Sequence, residues 1–262
     1  MKTLRLVVIG WGAISQRLYD LLPEGAELLA VALRPESTTA LPEGVARITL
    51  PAELAALAPD LVIEAAGRGT VAPWGMAALQ AGADFAPAST SALTDGDLLD
   101  QLIAAARESG AQLILAPGAL GGIDALAAAA RIGLDRVRHE IVKPPKAWAG
   151  TEAEALCDLS NLSAPVTFWQ GPAAEAATRF PQNANVAAIS ALAGLGLGQT
   201  EVALIADPDA VRNAHRLSAS GAFGDLRIEL QNRPMQSNPK TSELTALSLV
   251  RLVNNRLSPL VI

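Results

Sequence analysis

A glycine-rich turn between a strand and a helix, close to the N-terminus, constrains the fold of this chain more than any other feature. Leu4 to Ile9 is a short apolar run with branched side chains, which predicts a buried strand. Gly10 to Ser15 follows, and apolar residues then recur at helical spacing. Gly10 permits a tight turn, Gly12 lets a pyrophosphate approach the backbone, and the helix N-terminus attracts the phosphates. The stretch predicts a dinucleotide-binding turn, with an ordinary strand-to-helix turn as the alternative.

The first turn of the predicted helix supplies the expected cofactor contacts. We expect the backbone of Gly10, Gly12, Ala13 and Ile14 to bind the dinucleotide. The third glycine of the usual motif is replaced by Ser15, a small residue at a position where helix and strand pack closely.

The end of the second predicted strand, Glu27 to Leu33, bears on the choice between NAD and NADP. An acidic residue at this point binds the ribose 2′-hydroxyl of NAD, whereas an arginine accommodates the 2′-phosphate of NADP. Here the next residue is Arg34, which predicts that NADP is at least tolerated. The alternatives are that Arg34 is an ordinary surface residue, or that Glu36 restores a preference for NAD.

Alternating strands and helices between Lys2 and Ala116 predict an α/β fold with a doubly wound parallel sheet of the Rossmann type. We place this dinucleotide-binding domain at residues 1–118, with 112–116 as its last strand and 66–70 as a glycine-rich loop. Residues 119–239 predict an α+β substrate and dimerisation domain whose later strands pair antiparallel. The C-terminal helix, within 240–262, is expected to pack back on the first domain.

Charge and composition exclude several classes of protein. The net charge is −6 and no basic cluster occurs, which argues against nucleic acid or an anionic membrane surface as a partner. No signal peptide and no apolar run of membrane-spanning length are present. Cys157 is the one cysteine, which excludes an internal disulfide and a cysteine-rich metal site. We therefore expect a cytoplasmic protein without a bound metal.

His215 is the strongest candidate for catalysis, because histidine exchanges protons near neutral pH. It lies on a predicted strand in phase with Leu217 and Ala219, and the alternative is a surface histidine on an edge strand. His139 stands between Arg138 and Glu140, which favours a solvated strand face.

Polar residues in several loops are candidates for the cofactor and substrate. Ser89 and Ser91 either cap the following helix or line the nicotinamide and substrate side of a cleft. Asn183 or Asn185 either caps the following helix or hydrogen-bonds the nicotinamide carboxamide or the ribose. The candidates for binding substrate carboxylates are the basic residues Lys143, Lys240 and Arg68, each of which could also be a solvated surface charge.

Several segments together resemble the L-aspartate dehydrogenases, an NAD(P)-dependent enzyme family. The segments are Gly10 to Ile14, Ala88 to Leu93, Pro117 to Leu126, Lys143 to Pro145, Asn183 to Ala188, Leu192 to Gly196, Asp207-Pro208, Asn213 to His215 and Asn238 to Ser242. The glycine turn is common to many dehydrogenases, whereas the order and spacing of the later segments are much more specific.

The resemblance implies a homodimeric enzyme that converts L-aspartate to iminosuccinate, and then to oxaloacetate and ammonia, with NAD or NADP. It implies His215 as the catalytic residue, and cofactor contacts through the Ala119 backbone and through Asn185. Ser89, Ser91 and Lys240 are expected to hold the substrate carboxylates, and iminosuccinate could feed NAD biosynthesis. The alternatives are a related reductase acting on homoserine, dihydrodipicolinate or sugars, and a dinucleotide sensor without catalytic activity.

Overall fold

The computed structural model describes residues 3–239 and 241–262, and it divides them into two compact units. The first unit extends through Gly118 and includes residues 245–262; the second comprises Ala119–Pro234 and Ser242–Leu244. Each unit has one five-stranded sheet in the part of the chain that is described.

The first unit is a parallel sheet with connecting helices, which confirms the predicted doubly wound fold. Its strands are β1 (Leu4–Ile9), β2 (Ala26–Ala32), β3 (Ala46–Ile48), β4 (Leu61–Glu64) and β5 (Asp84–Pro87), in the order β3-β2-β1-β4-β5. The helices are α1 (Ala13–Asp20), α2 (Leu54–Leu57, after a 3-10 turn Pro51–Glu53), α3 (Arg68–Gln80) and α4 (Gly96–Ser109, after a 3-10 turn Thr90–Thr94). Strand order reverses at β1, so the carboxyl ends of β1 and β4 form the switch point at which such sheets bind ligands.

The C-terminal helix α9 (Glu243–Leu257) completes the core of the first unit. Its Leu249 and Val253 are buried in one apolar cluster with Leu6, Val31 and Ile63 of the sheet. The parallel sheet is thus packed on a helix that lies at the far end of the sequence.

The predicted strand at 112–116 is wrong, because it is reduced to a single bridge between Leu113 and Phe85. Two backbone bonds form, from the Phe85 amide to the Gln112 carbonyl and from the Ile114 amide to the Phe85 carbonyl. The next bond of a parallel ladder would need an amide hydrogen at Pro87, which proline lacks. The short strand β3 was not predicted, because three residues are too few to show a period.

The second unit has a mixed sheet covered by helices. Its strands are β6 (Leu134–Lys143), β7 (Val166–Pro172), β8 (Glu201–Ala206), β9 (Asn213–Gly221) and β10 (Gly224–Asn232), in the order β10-β9-β6-β8-β7. The helices are α5 (Ile123–Ala129, extended by a 3-10 turn Ala130–Ile132), α6 (Ala153–Leu156), α7 (Ala173–Arg179) and α8 (Ala184–Ala193), and 3-10 turns lie at Pro145–Ala147 and Pro181–Asn183.

One pair of strands in this sheet differs from the antiparallel pattern that was predicted. β8 pairs with β6 in parallel, whereas β7, β9 and β10 pair antiparallel with their neighbours. A parallel pair needs a long crossover, and the segment between β6 and β8 that contains α6, α7 and α8 provides it.

Candidate active site

The glycine turn of the first unit has the geometry that a dinucleotide requires. Gly10 has φ +87°, and a Cβ there would lie 2.8 Å from the Ala66 Cβ, so the position requires glycine. Gly12 precedes the first residue of α1, and no atom lies within 4 Å of a Cβ built on it. The first-turn amides of α1, which begin at Ala13 and Ile14, have no partner within the helix and favour an anion. The turn therefore fits a pyrophosphate, with space at the glycine where a side chain would obstruct it.

Ser15 occupies the position of the missing third glycine and is 1% exposed. Its hydroxyl has no hydrogen-bond partner among the described residues. The small side chain is accommodated on the buried side of α1, at the cost of one unsatisfied oxygen.

Arg34 lies two residues beyond β2 and is highly exposed, 3.9 Å from Glu36 Oε1. The Arg34 guanidinium, predicted to favour NADP, and the Glu36 carboxylate, which could favour NAD, therefore both lie just beyond the end of this strand. An exposed pair at this separation contributes little to stability, so either group is available to a ligand.

Glu64, at the carboxyl end of β4, is a buried carboxylate that the sequence analysis missed. Its Oε1 accepts hydrogen bonds of 2.7 Å from the amides of Ala66 and Gly67, and its Oε2 accepts one of 3.1 Å from the amide of Ser89. The predicted glycine-rich loop is consequently shorter than expected, because α3 already begins at Arg68. Glu64 thus fixes the two turns that follow β4 and β5.

The serines predicted to bind substrate are both buried beside these turns. The Ser89 hydroxyl donates to Glu64 Oε1 over 3.1 Å, which commits its proton to the carboxylate. Ser91 lies within the 3-10 turn, and its carbonyl accepts from Thr94 Oγ1. A substrate role for either residue stays a prediction.

The second unit contains a buried pair of histidines. His215 on β9 is 7% exposed and His139 on β6 is 0% exposed, and Nδ1 of His215 lies 3.1 Å from Nε2 of His139. The expectation that His139 faces solvent is therefore wrong. Successive strand residues face opposite sides, so the charged Arg138 and Glu140 point away from the face that His139 shares with Ile141.

Pairing between β6 and β9 brings the two rings together. Ile141 lies directly opposite His215, which makes His139 the diagonal neighbour of His215 on the same face. On its other side, His139 Nδ1 lies 3.0 Å from the hydroxyl of Ser190 on α8.

Burial lowers the pKa of both histidines, so both are neutral at pH 7. The pKa of His139 falls from 6.5 to about 4 because desolvation disfavours the charged ring. The pKa of His215 lies well below 6.5, because of burial first, and then because Lys143 and a protonated His139 repel a positive charge on the ring. A neutral imidazole can accept a proton from a reacting group.

Lys143, the last residue of β6, is held near these rings by polar and aromatic contacts. Its Nζ donates a 2.6 Å hydrogen bond to Asn183 Oδ1 and lies 4.9 Å from the centroid of the Trp148 ring. Burial lowers the pKa of Lys143 from 10.5 to about 8. Asn183 precedes α8 but does not cap it through its side chain, because its oxygen is bound to Lys143. Of the two alternatives given for Lys143 from the sequence, a solvated surface charge is therefore wrong.

The remaining predicted residues lie at separate places. The carbonyl of Ala119 accepts a 2.8 Å hydrogen bond from Asn232 Nδ2, and Asn185 is exposed in the first turn of α8. Arg68 is exposed at the start of α3. Lys240 lies outside the described residues.

Within residues 3–239 and 241–262, no helix has both the length and the apolar composition to cross a bilayer. Nor do those residues contain a group of three histidine, cysteine or acidic side chains placed to hold a metal ion.

Comparison with known proteins assigns a family to each part of the chain. Residues 124–256 match the family described as aspartate dehydrogenase, C-terminal, and residues 10–116 match the NAD-binding domain of homoserine dehydrogenase. The L-aspartate dehydrogenase of Brucella anthropi is 51% identical over 98% of both chains, and that of Pseudomonas aeruginosa is 42% identical over 96% of this chain and 97% of its own. The crystal structure of aspartate dehydrogenase from Thermotoga maritima superimposes with a TM-score of 0.80 at 25% identity, covering 99% of each chain. From the sequence matches and this shared fold, we conclude that the chain belongs to the L-aspartate dehydrogenase family, whose members are NAD(P)-dependent oxidoreductases.

Proposed function

We propose that this chain catalyses the reversible, NAD(P)-dependent oxidative deamination of L-aspartate to iminosuccinate, and then to oxaloacetate and ammonia. The observation that supports this most directly is a neutral, buried His215 within electrostatic reach of a half-buried Lys143, in a chain of this family. A neutral imidazole supplies a base, and a lysine supplies a charge for a dicarboxylic substrate.

We assign cofactor binding chiefly to the first unit. Gly10, Gly12, Ala13 and Ile14 would hold the pyrophosphate, and Arg34 would lie at the adenosine ribose. Two further contacts are proposed by resemblance, through the backbone of Ala119 and the side chain of Asn185. When bound, the oxidised nicotinamide supplies the two-electron acceptor that makes the amine of aspartate an imine.

His215 would move protons during the hydrolysis of iminosuccinate. Water adds to the imine carbon, and His215 accepts one of its protons as the carbon–oxygen bond forms. The protonated ring then returns this proton to nitrogen, which gives a carbinolamine. His215 next takes the proton of the carbinolamine hydroxyl and passes it to nitrogen as the carbon–nitrogen bond breaks, so that ammonia and oxaloacetate are the products. The imidazole ends each cycle neutral, as burial requires.

Lys143 would bind one carboxylate of the substrate. An ammonium group has three donors, and Asn183 accepts one of them in the structure. Placing a carboxylate beside Lys143 would pair a buried charge and favour its protonated form. Ser89, Ser91 and Lys240 remain proposed partners of the other carboxylate, and Ser89 would have to release Glu64 Oε1 to donate to it.

The test is the reverse reaction, in which oxaloacetate and ammonia are converted to aspartate. The loss of absorbance of NADH or NADPH measures its rate. His215→Ala should lower turnover by about 10²- to 10⁴-fold if the ring is the general acid and base. Arg216→Ala is the matched control, because Arg216 is the next residue on β9 and forms ion pairs with Glu140 and Glu229. Near-normal turnover of a folded His215→Ala variant would contradict the proposal, and so would a preference for homoserine or another amino acid.

We also infer that the protein is a cytoplasmic homodimer and that its iminosuccinate can feed NAD biosynthesis. Support for the dimer comes from the family, and light scattering of the purified protein measures it. A single cysteine is compatible with a reducing compartment.

A further inference from the structure

His139 is a buried histidine for which the proposed reaction has no use. It lies between two partners, with Nδ1 3.0 Å from Ser190 Oγ and Nε2 3.1 Å from Nδ1 of His215. The Ser190 hydroxyl is also 3.1 Å from the carbonyl of Ala187, one turn earlier in α8. A carbonyl, a hydroxyl and two imidazoles therefore form one chain of contacts that ends at His215.

Counting protons decides the direction of these hydrogen bonds. A carbonyl only accepts, and a hydroxyl has one proton to donate. If Ser190 donates to Ala187, then His139 Nδ1–H donates to Ser190 and His215 Nδ1–H donates to His139 Nε2, which makes three bonds. If Ser190 instead donates to His139, the order reverses and the Ala187 contact is lost, which leaves two. The first arrangement is favoured, because a buried polar contact that goes unused costs free energy.

We propose that His139, backed by Ser190, is a positioning residue that fixes the proton of His215 on Nδ1 and leaves Nε2 unprotonated. The catalytic consequence rests on the proposed function, whereas the tautomer itself does not. A base that is oriented by a third group is the arrangement found wherever an imidazole must accept a proton at one defined atom.

The arrangement also serves the charged form of His215. When Nε2 takes a proton, the ring becomes an imidazolium whose Nδ1–H already faces a neutral acceptor. Hydrogen bonds from a charged donor are stronger than those between neutral groups, so His139 stabilises the protonated ring. Burial, which lowers the pKa of His139, keeps that acceptor neutral at the pH of the reaction.

The proposal can be tested without measuring activity, because the chain contains two histidines. In protein labelled with ¹⁵N-histidine, long-range proton–nitrogen correlation spectra distinguish a protonated ring nitrogen from an unprotonated one. We expect Nδ1 protonated and Nε2 unprotonated in both rings at neutral pH. The His139→Leu variant retains only the His215 signals, so its spectrum shows which signals belong to which ring. A wild-type His215 with its proton mainly on Nε2 would overturn the proposal.

Ser190→Ala tests the direction of the bonds. Without the hydroxyl, a proton on His139 Nδ1 has no acceptor, whereas a proton on Nε2 can be donated to His215 Nδ1. Among backbone groups, a buried N–H without a partner is rarer than a buried acceptor without one, and we expect the same preference for a buried ring N–H. The proton of His215 should therefore move to Nε2 in this variant, and an unchanged tautomer would contradict our inference.

Steady-state kinetics test the catalytic consequence. Ser190→Ala and His139→Leu should lower kcat by about 10- to 100-fold with little change in KM, less than the loss expected when a charged partner of a catalytic imidazole is removed. His139→Gln, whose amide oxygen can accept from His215 Nδ1, should recover most of the activity. Ser109→Ala is the control, because Ser109 is a helical serine of α4 that also donates to a carbonyl one turn earlier.

The outcomes separate this inference from the proposed function. An active wild type whose kcat is unchanged by Ser190→Ala and His139→Leu overturns the positioning role and leaves the function in place. A wild type without activity toward aspartate overturns the function, and the tautomer spectra still decide the inference. Equal loss in His139→Leu and His139→Gln, with thermal midpoints as in the wild type, also counts against an acceptor role.

Discussion

Lys143 holds a positive charge among buried groups, so its removal should change how stability responds to pH. Burial lowers the pKa of Lys143 from 10.5 to about 8 in the folded protein. Between these values the unfolded chain binds more protons than the folded one, so the free energy of unfolding rises with pH. At about 1.4 kcal/mol per pKa unit, the partly desolvated charge costs about 3 kcal/mol at neutral pH, and this cost disappears as the pH rises from about 8 to 10.5.

Lys143→Met removes the titrating group and keeps a side chain of similar length. The free energy of unfolding of the wild type, minus that of the variant, should rise by about 2 kcal/mol between about pH 7.5 and pH 10. The neutral amine can still donate to Asn183 Oδ1 after it loses its proton, so the titration of the charge dominates this change. Guanidinium unfolding at each pH measures it, with Lys146→Met as the control because Lys146 is exposed. A difference that stays flat or falls with pH would refute the reasoning.

Other variants test the first unit. Gly12→Ala should weaken dinucleotide binding by about 10-fold or more, measured by NADH fluorescence, with little change in thermal midpoint because its Cβ meets no atom within 4 Å. Gly10→Ala should instead lower the free energy of unfolding by about 2 kcal/mol, because φ is positive and the site is filled; an unchanged midpoint would count against this. Glu64→Ala should cost about 3 kcal/mol in urea unfolding, since the amides of Ala66, Gly67 and Ser89 lose their acceptor. A loss below about 1 kcal/mol would argue that water replaces the carboxylate. Arg34→Ala should raise the KM for NADP more than that for NAD, and equal changes would place Arg34 away from the 2′-phosphate.

Local patterns predicted most of the first unit because its strands are buried runs bounded by turn residues. The run from Leu4 to Ile9 and the glycine turn after it lie where the sequence indicates. The strand predicted at 112–116 failed for a reason that involves a distant residue, since Pro87 has no amide hydrogen to continue the ladder. Whether a strand forms depends on its neighbour as well as on its own sequence.

The histidine pair shows what a single sequence hides. The alternation Val137, His139, Ile141 indicates a buried face, and this signal was available but was outweighed by the charged residues on either side. That His139 meets His215 depends on the register between β6 and β9, which joins residues 76 positions apart. Glu64 was missed similarly, because the amides that make its burial acceptable come from turns that only the fold brings together.

Helix α9 has a consequence for how the protein is made. The last strand of the sheet that α9 covers ends at Pro87, yet Leu249 and Val253, which belong to the same apolar cluster, are translated more than 160 residues later. At about 5–20 residues per second, the ribosome needs roughly 7 to 28 seconds to synthesise the chain between Gly118 and Leu257. During that interval the nascent sheet exposes the apolar surface that α9 will cover, and it is then a natural client for chaperones. A stop codon that removed only helix α9 would leave this apolar surface of the sheet permanently exposed.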